Sequence, residues 1–178
     1  MSLAWYDELR EQYRPERVSV LLVGESPPDP GAGAPRFFYA PTLSRDNLYR
    51  GVAAAFYGAE PGFDVRDKPH VLRRLQRDGV WLIDAVEHPI NMQSAAARQR
   101  AIAAASPSLA KRALELAPTV GVLVCHGVVF TAAAPALRSA GVRVLHDSRL
   151  PFPLGNWRAE FVAQVRAALE AAGWQGQP

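Results

Sequence analysis

The chain has 178 residues, 49% of them hydrophobic and 21% charged, with a formal net charge of +3. That length supports one core burying roughly 70% of the surface of the unfolded chain, and the composition excludes disordered, collagen-like and disulfide-scaffold classes. The single cysteine, Cys125, allows no internal disulfide and no cysteine-rich zinc or iron–sulfur site, so a reducing, cytoplasmic location is expected.

No run of 18 apolar residues occurs, and residues 1–13 carry Asp7, Glu8, Arg10 and Glu11 where a signal peptide needs an apolar stretch. Neither export nor membrane insertion is expected. The basic side is nearly all arginine, with Lys68 and Lys111 the two lysines. Residues 89–149 hold seven basic side chains against Glu115 and Asp147 alone, an imbalance that points toward a polyanionic partner.

In chain order, residues 3–13 read as a helix lying outside a central sheet and residues 18–23 as its first strand. The stretch 25–43 holds five prolines and two glycines without a period, which predicts a long ordered loop of the kind that is usually functional. Ser44 before residues 48–57, and Asp67 before residues 71–77 with Gly79 after them, mark two capped helices. Residues 80–84 read as the second strand, Ser106 and Pro107 as the opening of another helix, and residues 120–125 and 142–146 as the third and fourth strands. Asn156 caps a final helix whose Trp157, Phe161, Val165 and Leu169 form an apolar stripe read as core packing. The strands run apolar without polar alternation, as strands covered on both faces do, and helical segments separate them. The expected fold is one α/β domain over residues 1–178, a three-layer α/β/α sandwich around a short, mostly parallel four-stranded sheet.

In open parallel sheets, ligands bind at the carboxyl ends of the strands. Those ends carry Gly24-Glu25-Ser26-Pro27-Pro28 after the first strand, and Asp84 followed by Glu87-His88-Pro89-Ile90-Asn91 after the second. Cys125-His126-Gly127 follows the third, and His146-Asp147-Ser148-Arg149-Leu150-Pro151-Phe152-Pro153 the fourth. Glu25 and Asp84 thus share one rim with His126 and His146, His126 being read as structural.

This set of rim segments resembles the uracil-DNA glycosylase superfamily across residues 18–170. The first segment is similar to the Gly-Glu-Ala-Pro-Gly form of the water-activating loop, and Arg36-Phe37-Phe38-Tyr39 stands where the family places the aromatic residue that stacks on an extruded base. Leu82-Ile83-Asp84-Ala85-Val86 looks like the base-reading segment, and the His146 segment like the His-Pro-Ser-Pro loop. Asp84 replaces the usual Asn, Asp147 replaces the usual Pro, and the cluster-binding cysteines of the iron–sulfur branch are absent. The resemblance implies hydrolysis of the N-glycosidic bond of a deaminated or damaged base flipped out of DNA, by a monomer that uses no cofactor.

The chemistry of that reaction suits these side chains. Cleavage passes through an oxocarbenium-like sugar and an anionic leaving base, which calls for a carboxylate near the sugar and a donor near the base. Glu25 is expected to orient water or stabilise the cation, and His146 to donate to the base carbonyl. Phe38 is chosen for the stacking face over its neighbours Phe37 and Tyr39, and Ser26 is placed at the base. Ionised Asp84 only accepts, which suits a base presenting an exocyclic amine; a protonated Asp84 would instead donate. Ser148 and Arg149 are placed on phosphate, with Leu150 or Phe152 filling the space of the flipped nucleotide.

The chain lacks a G-x-x-x-x-G-K-[ST] loop, a G-x-G-x-x-G turn after the first strand, a G-x-S-x-G elbow and an H-E-x-x-H pair, and its four histidines lack metal-ligand spacing. No metal site is expected. Two alternatives remain open: a nucleic-acid or base-binding module of the same fold without catalysis, and a hydrolase of free nucleotides or nucleosides.

Overall fold

A computed structural model describes residues 4–29 and 36–176. The middle of the proline-rich loop, residues 30–35, and the ends of the expected first helix and last tail lie outside the described residues.

A parallel sheet of order β2-β1-β3 organises the chain, with β1 at Val20–Gly24, β2 at Val80–Asp84 and β3 at Gly121–Val124. Val20 pairs with Val80 and Gly121, and Gly24 with Asp84, so β1 and β2 end level with each other. Every residue of the three strands is buried. Because alternate side chains point to opposite faces, both faces are covered, and each buried Val or Leu contributes roughly 1.5–3 kcal/mol.

The fourth expected strand reduces to a single parallel bridge between Val122 and Val144. Val122 donates to the carbonyl of Arg143 and accepts from Leu145. The next backbone donor along β3, Val124 N–H, is taken instead by the His146 ring at 3.0 Å. A side chain occupies the position of the missing carbonyl, and the pairing stops there.

Helices fill the connections. Trp5–Glu11 forms α1, Asn47–Tyr57 α2 and Lys68–Arg77 α3. Asp67 caps α3 as expected, accepting from His70 N–H, and Gly79 (φ +73°) turns left-handed just beyond the helix end. Ser44 does not cap α2: Asp46 holds that position, and Ser44 donates to its carboxylate. The helix boundary expected at Ser106–Pro107 is absent. Ala95–Leu116 runs through it as α4, with Ser106 buried and its hydroxyl donating to the Ile102 carbonyl.

The helices Gly127–Ser139 (α5) and Trp157–Ala171 (α6) complete the fold, α5 packing on α4 and α6 on α2. Phe161, Val165 and Leu169 are buried as the stripe predicts, but Trp157 is 63% exposed at the first position of the helix. Among the described residues no helix is long and apolar enough to cross a membrane.

Candidate active site

The ends of β1 and β2 are joined beyond the sheet: Ala85 N–H donates to the Gly24 carbonyl at 3.0 Å and Val86 N–H to the Glu25 carbonyl at 2.9 Å. Glu25, Ser26 and Asp84 therefore emerge from one fixed platform. They line a cavity of about 530 Å³, within the range of small-molecule sites. Phe37 and Phe38 form part of its wall and are nearly fully buried.

Their companion Tyr39 serves a different end. Its hydroxyl donates to the Leu82 carbonyl and accepts from the Leu82 N–H, at 3.2 and 2.7 Å, which pins the aromatic segment to β2. Burial pushes its phenol well above the ordinary range. The buried ammonium of Lys68 fixes the same segment from below, donating to the Phe37 carbonyl at 2.9 Å and to the Asp46 carboxylate.

Asp84 is buried at the inner end of the cavity. Arg10, reaching in from α1, donates to its Oδ2 at 2.6 Å, and Oδ1 accepts no hydrogen bond from the described residues. A Cβ on Gly24 would stand 2.6 Å from that Oδ1, so the absence of a side chain at position 24 makes room for the carboxylate. Burial outweighs the neighbouring Arg10 and Arg112 and pushes the Asp84 carboxyl up to about 6.

Glu25 carries a fork-to-fork pair with Arg98 of α4, Nε to Oε1 at 2.8 Å and Nη2 to Oε2 at 2.6 Å. The same Oε2 lies 3.6 Å from Nε2 of His126. His126 sits at the N-cap of α5, lines the cavity, and has its Nδ1 buried without a hydrogen-bond partner among the described residues. Burial pushes its imidazole below the usual range, only partly offset by Glu25.

The expected role of His146 does not survive its geometry. Nε2 accepts from Val124 N–H and Nδ1–H donates to the Ser148 carbonyl at 2.7 Å, so both ring nitrogens are spent on backbone. The ring stacks on Phe130 and does not line the cavity. His126, read from sequence as structural, lines the cavity that His146 does not.

Leu150 also departs from expectation, being 2% exposed and so unable to enter a duplex. It lines, with Arg149 and Phe152, a second hollow of about 740 Å³ that shares His126 and Phe152 with the first. Ser148 lies outside both hollows, and Arg149 is exposed. The large apolar side chains exposed on this stretch are Phe152, Leu154 and Trp157.

Of the residues expected at the site, Glu25, Ser26, Phe38 and Asp84 line one cavity, whereas His146 and Leu150 do not line it. Sequence reasoning missed Arg98, Arg10 and Lys68, whose partners lie 73, 74 and 22 positions away. No local signal marks such pairs. Among the described residues, no group of three or more His, Cys, Asp or Glu side chains is placed to hold a metal ion. Compared with known proteins, the chain matches no family model, no curated protein and no solved structure.

Proposed function

We propose that the chain hydrolyses the N-glycosidic bond of a deaminated or damaged base extruded from DNA, on a uracil-DNA glycosylase-like α/β/α framework. The observation that carries this reading is the joint lining of one cavity by Glu25, Phe38, Asp84 and His126. Phe38 gives the base a flat apolar wall, Asp84 Oδ1 accepts from its edge, and Glu25 faces the sugar.

In this reading water attacks C1′ of the sugar, the bond from C1′ to the base nitrogen breaks, and its electron pair leaves with the base. Glu25, gripped by Arg98, stabilises the cationic sugar and takes the proton the attacking water loses, while His126, 3.6 Å from Glu25 Oε2, donates its Nε2 proton to the departing base and regains one from Glu25. A neutral imidazole carrying its proton on Nε2 is suited to that donation. Phe152, exposed at the cavity rim, replaces Leu150 as the side chain that fills the vacated stack, with Trp157 and Leu154 beside it.

The test is base release from single- and double-stranded oligonucleotides containing uracil, hypoxanthine, xanthine or mismatched thymine. Release should fall about 100-fold in both Glu25→Gln and His126→Ala. A second reading, a base-binding module without catalysis, draws support from the Arg98 fork, which occupies both oxygens of Glu25. Binding without release, unchanged in Glu25→Gln, would establish it instead.

A further inference from the structure

Three carboxylates line the cavity, and each is matched by one cation of the chain: Glu25 by Arg98, Asp84 by Arg10 and Asp46 by Lys68. Two further lining side chains, Arg36 and Arg45, are exposed and make no hydrogen bond, ion pair or ring contact with any described residue. His126 faces Glu25 and Arg98 and is pushed toward its neutral form, so it does not change the count. Among the described residues, Arg36 and Arg45 are therefore two cations at the cavity with no ion-pair partner, whereas Arg10 is shared between Asp84 and Asp7.

Those charges share a foundation. Arg36 precedes Phe37, whose carbonyl accepts from Lys68; Arg45 precedes Asp46, whose carboxylate accepts from the same ammonium. One buried lysine thus anchors the residue following each arginine, so both guanidinium groups spring from a fixed base. Asn47 and Leu48, the first residues of α2, line the cavity beside them; α2 has no acidic residue in its first turn, and its N-cap Asp46 makes no cap hydrogen bond, its carboxylate being held by Lys68. The helix end adds positive potential at the same place.

We propose that Arg36 and Arg45 form a phosphate clamp, so that the ligand is a phosphorylated nucleotide and not a free base or nucleoside. Guanidinium forks match phosphate oxygens bidentately, and surplus positive charge in a partly enclosed cavity favours an anion. The proposal rests on the reading of the cavity as a base site and goes beyond it by naming the group attached to the sugar. The phosphate is either the monoester of a free nucleotide or the diester of a strand.

Calorimetric titration of the full chain separates these. The probes are deoxyuridine, deoxycytidine, their 5′-monophosphates and single-stranded pentanucleotides carrying the same bases at the centre. At least one phosphorylated probe is expected to bind about tenfold tighter than its nucleoside, and Arg36→Gln/Arg45→Gln is expected to erase that preference. A preference confined to the monophosphates identifies a free nucleotide; one confined to the pentanucleotides identifies a strand. Equal affinity for nucleoside and phosphorylated forms, no binding of any phosphorylated probe, or a preference that persists in the double variant overturns the clamp. Absence of base release alongside an intact preference refutes the hydrolysis and leaves the clamp standing.

Discussion

Arg10 on the first helix and Asp84 at the end of β2 are 2.6 Å apart, Nη2 to Oδ2, and both are buried. Removing the cation strands a carboxylate away from water. Arg10→Met is expected to cost about 3–5 kcal/mol in urea unfolding at pH 7.5, and Arg10→Met/Asp84→Leu to recover most of that loss. The Asp84 carboxyl is raised from 3.8 to about 6, with Asp7, Arg10 and Arg112 as its charged neighbours. A raised carboxyl favours the fold at low pH, and that contribution is lost as pH climbs through about 6. The penalty of Arg10→Met should accordingly be smaller at pH 4.5 than at pH 7.5.

The same pair sets which group the cavity meets at position 84. With Arg10 donating to one side of the side chain, Asp84→Asn would keep its oxygen on Arg10 and turn its amide N–H₂ inward, replacing an acceptor with a donor. Uracil release, measured against release of an amine-bearing base, is expected to rise in this variant. A selectivity unchanged by the substitution, in a folded protein, would remove Asp84 from the base edge.

Gly24 offers an independent probe of that carboxylate. An alanine Cβ there would stand 2.6 Å from Asp84 Oδ1 and 3.7 Å from Leu82. Gly24→Ala is expected to destabilise by about 1–3 kcal/mol and to displace Asp84. Titration with the phosphorylated probes should reveal weakened binding even where circular dichroism reports an intact fold.

Three of the four expected strands, and the two carboxylates that follow the first two, were legible because each depends on local pattern. Apolar runs without alternation marked β1 and β2, and the residues after them fell at the ligand-binding edge by topology alone. His146 was misread because a histidine after an apolar, β-branched run looks the same whether it faces a ligand or caps a strand. Val124 N–H, 22 positions away, decides between them. Ser106–Pro107 misled for a related reason: the surrounding alanines and leucines carry the helix through a residue pair that ordinarily starts one, at a cost of about 3 kcal/mol for the proline. Arg98 gave no warning, being one arginine among many until the fold set it against Glu25.

The two histidines are expected to separate cleanly by experiment. His146→Phe keeps the ring on Phe130 but loses the acceptor for Val124 N–H, and should cost about 1–3 kcal/mol with little change in base release per folded molecule. His126→Ala should do the reverse. Burial depresses His146 below its ordinary 6.5, so its contribution is present above that value and lost as pH falls further. Melting curves between pH 7.5 and pH 5 should therefore show an acid-dependent loss in the parent that His146→Phe reduces. Abolished release in His146→Phe, with His126→Ala unaffected, would restore the original assignment.

Tyr39 carries a consequence beyond the cavity wall. β2 is an outer strand of the sheet, and its Leu82 peptide would otherwise offer an open donor and acceptor to any extended segment that drifted alongside. One phenol satisfies both groups at once, so the sheet presents a sealed margin at the midpoint of the strand, where recruitment of a stray strand from another molecule would begin.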